Sequence, residues 1–103
     1  MEKIPVVDTP RFTVYIQDSP IGKIIHGDMH VKWTKSTKAE VLAVVDALCS
    51  SMDEPVFAAH YEEQGVKHTK FLKMLGFAPW EFTEDAHDTP CILYRRYARG
   101  KHF

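Results

Sequence analysis

The chain has 103 residues, room for one domain that buries roughly two thirds of the surface its unfolded form exposes. Hydrophobic residues make up 45% and charged residues 26%, and no run approaches the roughly 20 apolar residues of a membrane-spanning helix. A formal net charge of -1 argues against non-specific nucleic-acid binding, which needs an uncompensated excess of Lys and Arg.

The N-terminal MEKIPVVDTP lacks a positive flank followed by an apolar run, so no secretory signal is expected and the chain reads as cytoplasmic. Cys49 and Cys91 show no CxxC spacing, which points to reduced structural thiols rather than a metal knuckle or a disulfide framework. Arg11 to Gln17 alternates Phe12, Val14 and Ile16 with Thr13, Tyr15 and Gln17, the period of a half-buried strand. Asp18-Ser19-Pro20 supplies a turn, Ile21 to His26 a second strand, Gly27-Asp28 another turn, and Met29 to Thr34 a third strand. These three form an antiparallel meander.

At Thr34 the period changes. Ser36 or Thr37 is placed to cap a helix, and Thr37 with Glu40 has capping-box spacing. Val41, Leu42, Val44, Val45, Leu48, Cys49 and Met52 recur at three- and four-residue steps, a broad apolar stripe that must pack on the meander. Val56 to Tyr61 then reads as a buried strand in parallel pairing across the helix. In GVKHTKFLKMLGF, Gly65 to Phe77, a short helix ends at Gly76, suited to the left-handed C-cap position. The turn residues of Asp85 to Pro90 divide the remainder into a hairpin, Trp80 to Thr83 and Cys91 to Tyr97. The predicted fold is α/β (α+β), a mixed sheet of about six strands in one domain with its core between residues 11 and 97.

This order, together with Leu75-Gly76-Phe77 at the end of the second helix, resembles the later two thirds of the GNAT family of N-acetyltransferases. His68 to Phe77, with its His-x-x-Phe-Leu-x-x-x-Gly pattern, is similar to short acetyltransferase-like proteins of tailed bacteriophages, some of them internal virion proteins. The resemblance implies acetyl-coenzyme A as cofactor and an amine as acyl acceptor. It places the ligand against the ends of the strands that flank the first helix, which selects Trp33, Lys35, Ser36, Thr37 and Lys38 for cofactor binding, with His68 from the second helix. His60 or Glu62 would then deprotonate the amine, directly or through water, with Glu63 beside them.

The same residues have plainer readings. Lys35 to Lys38 also reads as an ordinary capped helix start, His60 as a hydrogen-bonded strand end, Glu62 and Glu63 as a solvated turn, and His68 as a packing histidine. No histidine pair has helical metal-ligand spacing, although His26 and His30 flank a turn and could approach each other. Trp80, Phe82, Tyr94 and Tyr97 beside Arg95, Arg96 and Arg99 read as core packing plus a basic tail.

Three departures from the family are visible. The loop before the first helix, Thr34 to Lys38, contains no glycine, so consecutive N–H groups are not freed to cradle a diphosphate. Leu72 occupies the place of the family's frequent tyrosine acid. The strand and two helices that usually precede the meander are missing, which leaves sheet surface for a homodimer partner or for a host or virion protein. A non-catalytic acetyltransferase-like fold, acting as a phage structural component or a host-protein binding module in the host cytoplasm or the virion, is the alternative reading.

Overall fold

A computed structural model describes residues 2–97, so Arg99 and Lys101 of the basic tail lie outside the described residues. Six strands form one mixed sheet in the order β1-β2-β3-β4-β6-β5: β1 (Lys3–Asp8), β2 (Phe12–Ser19), β3 (Gly22–Met29), β4 (Val56–His60), β5 (Ala78–Glu84) and β6 (Pro90–Arg96). Helix α1 (Lys35–Ser51) crosses from β3 to β4, and α2 (Gly65–Met74) follows β4 after a 3-10 turn at Glu62–Gln64.

The meander exists, shifted towards the N-terminus. Lys3–Asp8, outside the expected core, is a strand antiparallel to β2; of the expected strand Met29 to Thr34 only Met29 belongs to the sheet, as the end of β3 opposite Phe12, and His30 to Thr34 form the loop into α1. Pro5 is compatible with β1 because this is an edge strand with a register shift between Pro5 and Val7. Gly27-Asp28 lies inside β3, opposite Val14 and Thr13, and makes no turn.

The helix cap also differs from expectation. Thr34 is the N-cap, its hydroxyl accepting from the Thr37 N–H at 3.2 Å and bonding the Thr37 hydroxyl at 2.9 Å. The Thr37–Glu40 capping box does not form, because Glu40 instead receives Arg11 at 2.9 Å and ties α1 to the start of β2. At the other helix the C-cap is as expected: Gly76 has φ 88°, its N–H reaches the Lys73 carbonyl at 3.0 Å, and the Phe77 N–H reaches the Leu72 carbonyl at 2.9 Å. That pair of bonds is a Schellman motif, sealed by burial of Leu72 and Phe77.

Both helices lie on one face of the sheet. Phe12 and Val14 of β2, Val56 and Ala58 of β4, and Tyr94 of β6 form one core with Val41, Val45 and Cys49 of α1 and Leu72 and Leu75 of α2. Arg96, which shares that face, bonds Asp46 of α1 at 2.6 Å and the Leu75 carbonyl at 2.9 Å. Among the described residues no helix covers the other face, where Trp80 packs on Phe57 at 5.2 Å and Arg95 lies over the Trp80 ring at 5.0 Å. Trp80 is therefore 41% exposed, and Phe82, opposite Ile92 on the helix side but beyond the reach of the core, is 73% exposed, so neither is a core residue. Cys49 and Cys91 are buried free thiols.

Candidate functional site

β3 and β4 are parallel but pair at only two positions, Lys23 with Val56 and Ile24 with Phe57. Past Ile24 the strands part, while the other edge of β4 stays paired with β6 from Val56 to His60. The edge of Ala58 to His60 that faces β3 therefore has no strand partner among the described residues. A cleft of about 520 Å3 opens there, and its small residues Gly27, Ala58 and Ala59 leave the space unfilled. Val41 and Val45 of α1 form one wall; His68, Phe71 and Leu72 of α2 form the other.

Of the expected cofactor-binding residues, Trp33 and His68 line this cleft, and Trp33 is held edge-on to Phe71 at 5.3 Å. Lys35, Ser36, Thr37 and Lys38 do not form its walls. Thr37 is wholly buried by the cap it makes with Thr34, Ser36 receives Arg11 at 3.3 Å, and the two lysines are exposed on the first turn of α1. Lys67, one residue before His68 and not among the expected site residues, also lines the cleft.

The expected catalytic residues lie elsewhere. His60 and Glu62 line a second cavity of about 600 Å3 on the other side of α2, between its first turns and the β5–β6 hairpin. Val66, Phe82, Pro90 and Ile92 make that cavity largely apolar, and Glu62 and Glu63 stand exposed at its rim. Its base is braced by the Tyr61 hydroxyl, which donates to Asp85 at 2.9 Å. Burial, reinforced by the Asp85 carboxylate, pushes the Tyr61 phenol up to about 12. Asp85 is held below the usual carboxylate range chiefly by the backbone N–H groups of Thr89 and His87.

The two cavities share Tyr61 in their linings, and a pair of histidines joins them. His60, 7% exposed on β4, and His68 on α2 meet with Nδ1 to Nδ1 at 2.8 Å. Their ring planes are 16° apart and their centroids 5.1 Å apart, the separation of two imidazoles joined edge to edge through those nitrogens. One Nδ1 must carry a hydrogen and the other must accept it. Burial first, and His60 second, depress the His68 pKa below its ordinary value. Eight residues apart and on different elements, the two histidines carry no mark of this pairing in the sequence. Their meeting depends on the Glu62–Gln64 turn, which folds α2 back over the end of β4.

His26 and His30 do not approach each other as partners: His26 bonds Gln17 at 2.8 Å and His30 bonds Thr13 at 2.7 Å. No group of three metal-ligating side chains occurs among the described residues. Comparison with protein families, curated proteins and solved structures finds no match to this chain. Among the described residues no helix is long and apolar enough to cross a membrane.

Proposed function

We propose that this domain is a GNAT-like, acyl-coenzyme A-dependent N-acyltransferase that transfers an acetyl group to an amine, with the thioester arm of the cofactor lying in the cleft between β3 and β4. The observation that carries the reading is the parting of the two parallel strands after Ile24 and Phe57. The bare edge of Ala58 to His60 offers backbone N–H and C=O groups to an amide-bearing arm, and such groups carry a strong preference for a partner when buried. The strand order, the crossover helix and the Leu75-Gly76-Phe77 cap support the same family reading.

In this reading Trp33 and Phe71 flank the arm and Lys67 supplies positive charge inside the cleft. Lys35 and Lys38, exposed at the α1 N-terminus, act on the phosphates at the cleft mouth, where the helix dipole adds to their charge. Leu72 is buried and carries no proton, so acid–base work falls to the histidines. Calorimetric titration of acetyl-coenzyme A tests the reading. Saturable heat that a phage-type or other amine-acetylating assay then matches with turnover supports it; no heat at millimolar cofactor overturns it.

The second reading, a non-catalytic GNAT-like fold serving as a phage structural component or a host-protein binding module, is favoured by the exposed apolar residues Ile4, Val6, Trp80 and Phe82. The outer edge of β1 is also open to a second copy. Sedimentation of the purified chain reads that possibility directly: a stable dimer favours an assembly role, and a monomer removes the homodimer.

A further inference from the structure

We propose that the His60–His68 pair is a proton relay through the base of α2, connecting the cleft to the second cavity. The proposal rests on the acyl-transfer reading for the source of the proton, and on geometry for its path.

His68 lines the cleft and His60 lines the second cavity, so the hydrogen bond between their Nδ1 atoms crosses the wall that separates the two spaces. No partner for either Nε2 is found among the described residues, and no fully buried side-chain polar atom is left unsatisfied. Each Nε2 therefore opens onto its own cavity. In the neutral pair one hydrogen sits between the rings, so one Nε2 is bare and the other is protonated. The ends are complementary: a proton gained at one end is matched by a proton lost at the other.

The chemistry balances in both directions. An amine N–H bond breaks at His68 Nε2, the electron pair staying on nitrogen. The His68 Nδ1 hydrogen crosses to His60 Nδ1, and the His60 Nε2 hydrogen leaves to water or to the Glu62 and Glu63 carboxylates in the second cavity. Run inward, the same hops return a proton to His68 Nε2 and from there to the leaving thiolate, the task that Leu72 cannot perform. Other charged groups stand near both ends. Lys67, with His26 and Asp28 of β3, shares the cleft with His68; Glu62, Glu63 and Cys91 share the second cavity with His60, and Tyr94 of β6 meets the His60 ring edge-on at 6.1 Å. Burial, and after it the neighbouring His60, disfavour a charged His68, which favours passing the proton on rather than storing it.

His60→Asn is the informative variant, because its amide occupies the place of Nδ1 and keeps a partner for His68 while removing Nε2. With acetyl-coenzyme A and a primary alkylamine, the relay predicts a kcat loss of about a hundredfold with the cofactor KM held, and recovery on adding imidazole in proportion to its free base. Wild-type turnover in the variant, or a loss that imidazole does not repair, overturns it. Nitrogen-15 NMR of the wild-type rings tests the path without turnover, so that its failure is told apart from a failure of the acyl-transfer reading. One protonated and one bare Nε2, with both rings shifting in a single titration step, supports the relay. Two protonated Nε2 atoms at neutral pH, or two independent titrations, overturn it.

Discussion

Arg96 and Asp46 form an ion pair at 2.6 Å that joins β6 to the middle of α1, and the same guanidinium donates to the Leu75 carbonyl at 2.9 Å. One side chain thus pins both helices to the sheet. Arg96 is only 13% exposed while Asp46 is 52% exposed, so the arginine's loss matters more than the aspartate's. Arg96→Met is expected to destabilise the fold by about 2 kcal/mol, because it leaves a buried carbonyl at the end of α2 unbonded, whereas Asp46→Asn costs under about 1 kcal/mol. Urea unfolding of the two variants checks the order.

Gly76 is the second structural weak point. At φ 88° a side chain is strained, and an added Cβ would stand 3.4 Å from the Arg96 guanidinium. Gly76→Ala should cost about 1–2 kcal/mol from backbone strain alone. Thr34→Ala should cost about 1 kcal/mol through the lost α1 cap, and Thr37→Ala should not imitate it at the cap N–H because the Thr34 hydroxyl is the acceptor there. Thermal denaturation of the three variants separates these effects.

Much of this architecture is legible in the sequence. The α1 stripe, β4, the Gly76 cap and the terminal hairpin each carry a local signal that tertiary structure leaves in place. The meander register was not legible. Met29 to Thr34 alternates like a strand, but β3 ends at Met29, opposite the first residue of β2, and His30 to Thr34 find no strand to pair with; Lys3–Asp8 lacks a clean alternation and contains Pro5, yet β2 offers it a free edge. The sites followed the same division. His60, Glu62, Trp33 and His68 were recognisable as chemistry-bearing residues, but which cavity each one enters is set by where α2 lands, and Lys67 becomes a cleft residue only through that placement.

Stability should fall on mild acidification. His68 is lowered below its ordinary 6.5 by burial and then by His60, and His26 is lowered by burial and then by Lys3. A group with a depressed folded-state pKa takes up its proton more readily in the unfolded chain. Its stabilising contribution is thus complete above about pH 6.5 and is lost as pH falls from there through the folded-state pKa. A second proton on the His60–His68 pair would also leave two donors facing each other at 2.8 Å. Melting temperatures at pH 7.5 and pH 5.5 should differ, with the difference reduced in His68→Asn. An unchanged melting temperature over that interval contradicts the burial argument, because most carboxylates remain ionised throughout it.

The cleft can be filled without disturbing the fold. Gly27 lines it from β3, lies opposite Val14 in the antiparallel pair, and an added Cβ there meets only the Thr13 carbonyl oxygen, at 3.8 Å. Its backbone lies outside the positive-φ region, so a β-branched residue is compatible with the strand. Gly27→Val should therefore leave the melting temperature equal or slightly raised while closing the space beside Ala58 and Ala59. If an acyl-coenzyme A arm lies in this cleft, its affinity should fall at least tenfold in the variant, a loss of about 1.4 kcal/mol. Binding retained at the wild-type level in a folded Gly27→Val protein would place the ligand outside the parted strands, and the bare edge of Ala58 to His60 would then have to serve some other purpose.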